Sequence, residues 1–161
     1  MFNFGTLAFR PASPEDESFL FDLYSSTRAE ELKSWGWDTQ QQSQFLRMQF
    51  NAQQQSYRAY FPNNYYQIIM NDGCLIGSML VVRNKKEIRI ADIALLPAYQ
   101  NQGIGTYLIQ NLLIEAQHIK KPVSLQVVKW NRAVHLYERL GFEKIDDTGI
   151  YLLMEWRKFS N

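Results

Sequence analysis

The spacing of apolar and polar positions changes period several times along this chain, and each change marks an element. Residues 6–10 read as a short strand candidate. Ser13 is placed to cap a helix with Pro14 at its first position, and Asp16 and Glu17 suit the positive end of its dipole. Phe19, Leu20, Leu23 and Tyr24 then recur at helical spacing, and this helix is expected to end at 28–32. A loop over 34–38 carries Trp35 and Trp37 around Gly36. Thr39 can cap a second helix with a stripe of Phe45, Met48, Gln49, Ala52, Gln55 and Tyr57, running to about Tyr60 before Pro62 stops it.

From there the pattern shortens to strands. Residues 65–70 and 75–82 flank Asn71-Asp72-Gly73-Cys74, a hairpin signal, and a third strand over 87–95 ends before Pro97. Helical spacing returns over 103–119, with Ile104, Leu108, Leu112, Leu113 and Ala116 inward. A strand over 123–128 and a helix over 131–140 follow, with Gly141 as the helix stop. Residues 142–145 and 150–156 read as a final antiparallel pair. The order β-α-α-β-β-β-α-β-α-β-β predicts one α/β (α+β) domain over 1–161, a mixed sheet with helices on both faces. The strands over 87–95 and 123–128 bracket a helix and should be parallel, with a right-handed crossover.

Composition narrows the function classes. The chain has 161 residues, 46% hydrophobic and 20% charged, a balance that fills a core and argues against disorder. A net charge of +1 supplies no electrostatic footprint for nucleic acid. Cys74 is the single cysteine, so no intrachain disulfide can form. No signal peptide opens the sequence and no apolar run is long enough to span a bilayer, which predicts a cytoplasmic protein with no membrane partner. His118 and His135 lie on different helices without cysteines or paired carboxylates at ligand spacing, so no metal is expected.

The chemistry concentrates at Gly103 and Gly105, directly after a strand and at the start of a helix. Helix-start N–H groups lack partners and sit at the positive end of the macrodipole, which suits phosphate. Glycine lets the phosphate approach the backbone. A dinucleotide fingerprint would need a third glycine where Leu108 stands, and a P-loop would need Gly-Lys-Ser/Thr where the chain has Gly103-Ile104-Gly105-Thr106. Taken alone, the two glycines could equally serve a tight turn.

The segment Ile93-Ala94-Leu95-Leu96-Pro97-Ala98-Tyr99-Gln100-Asn101-Gln102-Gly103-Ile104-Gly105-Thr106 resembles the central motif of the Gcn5-related N-acetyltransferase (GNAT) superfamily. Asn131-Arg132-Ala133-Val134-His135-Leu136-Tyr137-Glu138-Arg139-Leu140-Gly141-Phe142 is similar to the second family motif, in the family's order and separation. The resemblance implies a mixed, mostly antiparallel twisted sheet of about seven strands and an acetyl-CoA co-substrate. It implies that Ile93, Ala94 and Leu95 pair with the pantetheine arm and that Gln100, Asn101, Gln102, Gly103, Ile104, Gly105 and Thr106 hold the pyrophosphate. Asn131 would hydrogen-bond the cofactor and Tyr137 would sit by the thioester sulfur. A phenol near pKa 10 facing a thiol near 8.5 is a workable proton donor to the leaving thiolate. The histone-acetylating members have a glutamate where this chain has Arg89, and others one where it has Gln126, so Asp92 is the remaining acidic candidate for the base. Strand alternation puts Asp92 on the face opposite Arg89. The resemblance also assigns the acceptor side to the first two helices and their loop, where Arg28, Glu31 and Trp35 stand.

These readings predict an N-acetyltransferase acting on a small-molecule or peptide amine by direct attack in a ternary complex. The alternative is a weakly active or inactive acyl-CoA-binding module. Tyr151, Leu152, Leu153 and Trp156 in the last hairpin allow a homodimer.

Overall fold

The computed structural model describes residues 2–158, apart from the side chain of Glu30. The strands are β1 (Leu7–Pro11), β2 (Gln67–Asn71), β3 (Cys74–Arg83), β4 (Ile88–Leu95), β5 (Val123–Val128), β6 (Glu143–Asp147) and β7 (Tyr151–Trp156). The helices are α1 (Glu17–Lys33), α2 (Thr39–Tyr60), α3 (Ile104–Ile119) and α4 (Ala133–Arg139). The seven strands form one sheet in the order β1-β2-β3-β4-β5-β7-β6. It is a mixed sheet: β4 and β5 run parallel, and the pairs β1/β2, β2/β3, β5/β7 and β6/β7 are antiparallel. Element order and sheet type are those the sequence predicts.

By its contacts the chain divides into two compact units. One comprises Gly5–Met79 and Ala94–Gln100. Here α1 and α2 meet through aromatic edges, with Phe21 and Tyr24 at 5.5 and 5.6 Å from Phe50. Their buried positions are Leu23, Leu32, Leu46 and Phe50. The stripe expected on α2 is therefore displaced. Met48 is exposed, and Leu46 and Phe50, four residues apart, carry the burial. Asp38, one residue before the expected Thr39, caps α2: its Oδ1 accepts from Gln41 N at 2.8 Å, and Gln41 Oε1 accepts from Asp38 N at 3.1 Å. Ser13 does mark the start of α1, through a short 3₁₀ turn over Pro14–Asp16. Buried Asp16 accepts from Arg10 Nη1 and Nη2 at 2.7 and 2.8 Å and from Ser13 N at 2.8 Å.

The other unit runs up to Phe4, then Leu80–Ile93, then from Asn101 onward. Its core joins Ile88 and Ile90 of β4, Val123, Leu125 and Val127 of β5, and Leu152, Met154 and Trp156 of β7 to the inward faces of α3 and α4. Ile104, Leu108, Leu112, Leu113 and Ala116 are all buried as the spacing predicts, and Ile109 joins them. Arg83 at the end of β3 makes a two-pronged ion pair with Glu115 of α3, at 2.7 and 2.9 Å. Leu152 and Trp156 turn into this core, which leaves Tyr151 as the exposed residue of the four suggested for a dimer contact.

Candidate functional site

The start of α3 is built from backbone geometry. Asn101 and Gly103 both take positive φ, +61° and +84°, so the chain makes a tight left-handed approach to the helix. Gly103 is the N-cap, and its carbonyl accepts from Tyr107 N at 3.0 Å. The N–H groups of Ile104, Gly105 and Thr106 precede that first helical bond and are the donors a helix start leaves over. A Cβ built on Gly105 would meet nothing within 4 Å, and one on Gly103 would meet only Phe4, at 3.5 Å. The loop therefore leaves open space where an anion would approach those donors, and the residues present fit a pyrophosphate.

Phe4 completes this corner. Its ring lies 4.6 Å from that of Tyr107, tilted by only 5°. Sequence reasoning missed this contact, because no local pattern links positions so far apart.

In the same unit, Tyr137 of α4 is buried beside Phe142, ring centroids 5.8 Å apart. Burial pushes its phenol above its ordinary value of 10, and the nearby charge of Asp92 pushes it the same way. Asp92 thus acts on the face of β4 that Ile88 and Ile90 share with the helices. Arg89 turns to the other face, where its Nη1 and Nη2 donate to Ser124 Oγ and Gln126 Oε1 at 3.4 and 3.5 Å. The alternation expected for Arg89 and Asp92 is what the strand shows. Asn131 is exposed, and its Oδ1 accepts from Ala133 N at 2.8 Å, an Asx turn that leads into α4. The parallel ladder of β4 with β5 pairs Ile88 with Val123, Arg89 with Ser124 and Ile90 with Leu125, while β4 itself continues to Leu95.

In the other unit, the end of β4 approaches Gly77 of β3. A Cβ on Gly77 would lie 2.4 Å from the Ala94 carbonyl oxygen and 2.8 Å from Leu95 Cδ2. A lone glycine inside a strand is the sequence signal for such an approach. Leu96 N donates to Ile76 O at 2.8 Å, and Gln100 Nε2 donates to Leu95 O at 2.9 Å, so the Gln100 side chain braces the turn. Arg28 lies 5.0 Å from the Tyr24 ring centre and 3.9 Å from Glu31. Trp35 packs edge-on with Trp37 and Phe45 at 5.1 and 5.4 Å, yet it keeps 44% of its surface exposed. Among the described residues no group of three or more His, Cys, Asp or Glu stands together to hold a metal, and no helix is long and apolar enough to cross a membrane.

The model of the acetyltransferase (GNAT) family matches residues 19–142. Among solved structures, the PaiA N-acetyltransferase of Thermoplasma acidophilum, in complex with coenzyme A, is similar at TM-score 0.69 and 16% identity, covering 94% of this chain and 99% of that one. A GNAT family acetyltransferase of Elizabethkingia anophelis with acetyl-CoA bound is similar at 0.60 and 15%, covering 95% and 99%. The ribosomal-protein-S18-alanine N-acetyltransferase of Escherichia coli is similar at 0.64 and 18%, covering 96% of each chain.

Proposed function

The chain belongs to the acetyltransferase (GNAT) family, and on that premise we propose that it is an N-acetyltransferase transferring acetyl from acetyl-CoA to an amine by direct attack in a ternary complex. The observation that carries this reading is the start of α3: three leftover N–H donors beside two glycines, with open space over Gly105. Gln100, Asn101, Gln102, Gly103, Ile104, Gly105 and Thr106 hold the pyrophosphate, the last three chiefly through backbone donors. Ile93, Ala94 and Leu95 offer extended backbone to the pantetheine amides. Asn131 fixes the first turn of α4 with its Oδ1 and turns its amide nitrogen to the cofactor.

Acetyl-CoA supplies the thioester carbonyl. Tyr137, kept protonated by its burial and by Asp92, donates its hydroxyl proton to the departing sulfur as the amine nitrogen bonds to the carbonyl carbon. Asp92 takes the proton that the amine sheds. Arg28, Glu31 and Trp35 contact the acceptor, with Glu31 suited to an ammonium and the exposed tryptophan face to a cation.

A thiol-release assay across small amines, amino acids, aminoglycosides and peptides with free N-termini tests the reading. Release with at least one class, matched by an N-acetylated product, is expected. CoA binding with release no faster than hydrolysis for every class would instead identify an acyl-CoA-binding module.

A further inference from the structure

We propose that Phe4 is a positioning residue for the pyrophosphate loop, acting as a fixed plate that holds the first turn of α3 in its anion-binding form. The inference rests on the reading of that loop as a CoA site. Three observations carry it. The Phe4 ring is stacked flat on Tyr107, 4.6 Å away with planes 5° apart. Its Cζ also lies 3.5 Å from where a Cβ on Gly103 would stand. Gly103 and Tyr107 are the two ends of the first helical hydrogen bond of α3, Tyr107 N to Gly103 O at 3.0 Å. The ring therefore stacks on Tyr107 and borders the side of Gly103 where a Cβ would stand, the two residues that close the first turn of α3. Phe2 backs it, with its ring centroid 5.5 Å from that of Phe4.

The need for such a plate follows from the loop's composition. Gly103 and Gly105 lack side chains that would anchor them, and glycine backbone loses the most freedom when ordered. Without a brace, that ordering falls on the binding step and weakens affinity. Phe4 shifts that ordering to folding.

The test is calorimetric titration of the full chain with CoA, with amide hydrogen exchange over residues 104–107. Phe4→Ala is expected to weaken CoA binding roughly three- to tenfold and to speed exchange of those amides. Phe4→Tyr, which keeps the ring, is expected to restore both. Phe4→Leu serves if the alanine variant does not fold, and is expected to show the same weakening. Arg83→Ala controls for mere destabilisation: it removes the ion pair to Glu115 at the far end of α3 and should lower the melting temperature without changing CoA affinity. Wild-type affinity in Phe4→Ala or Phe4→Leu, or no rescue by Phe4→Tyr, overturns the inference. A wild-type chain that binds no CoA would instead overturn the reading of the loop itself.

Discussion

Tyr137 is a core residue by its packing, and the proposed function gives the same side chain a chemical role. Its ring fills the space against Phe142, and its hydroxyl sits where burial and Asp92 both raise its pKa. A raised phenol stays protonated across neutral pH, so the donor form persists, while the same shift makes it a weaker acid than a free phenol. Tyr137→Phe is expected to lower kcat on the order of 10²-fold with CoA affinity within a factor of two, measured by thiol release and titration. The sign of the pH effect follows from the raised value. The proton is held through pH 10 and lost only above it, so the basic limb of the rate attributable to Tyr137 lies above pH 10 in a pH profile of thiol release. Part of this residue-scale geometry was legible in the sequence: strand alternation placed Asp92 opposite Arg89, and Arg89 does turn to Ser124 and Gln126 while Asp92 acts on Tyr137. Two roles were not legible. Asn131 closes an Asx turn ahead of α4, and Gln100 braces Leu95; both follow from hydrogen bonds that turn geometry alone decides.

At the level of elements, what sets the end of β4 is its contact with β3. Gly77 permits the Ala94 carbonyl to approach within 2.4 Å of where a Cβ would be, and that oxygen is backbone, so it cannot swing away. Gly77→Ala should cost about 1–3 kcal/mol in urea denaturation and weaken CoA binding through the displaced strand end. The entry to α1 is a second fixed point. Arg10 and Ser13 hold the Asp16 carboxyl well below its ordinary value of 3.8. A depressed carboxyl contributes stability that is fully present above pH 4 and fades as pH falls below it. Asp16→Asn should lose about 1.5–3 kcal/mol at pH 7 and show a flatter acid transition than the wild type by circular dichroism. Element boundaries followed the sequence where the period was clean, as in β5, read as 123–128 and found as Val123–Val128. They drifted in α2, where glutamines dilute the apolar signal and Leu46 with Phe50 outcompete the stripe around Met48.

On the scale of the whole molecule, family and sheet type were readable because two motifs and eleven elements agreed on one arrangement, whereas the strand order, with β7 between β5 and β6, was not. The contacts between distant positions were not, since Phe4 meets Tyr107 and Gly77 meets Ala94 only once the chain has folded. Ligand binding should register globally. Acetyl-CoA at a hundred times its Kd stabilises by about 2.7 kcal/mol, which for a chain of this size raises Tm by roughly 5–10 °C. The measurement that bears most directly on the central claim is titration calorimetry of acetyl-CoA into the wild type and Gly105→Glu. Gly105 has open space around it and no positive φ, so the glutamate adds an acidic group at the positive end of α3 without disturbing the fold. The prediction is one-to-one binding by the wild type and none by a variant with an unchanged Tm. A wild type that takes up no acetyl-CoA, or a variant that binds it as tightly as the wild type, would contradict the assignment of this loop.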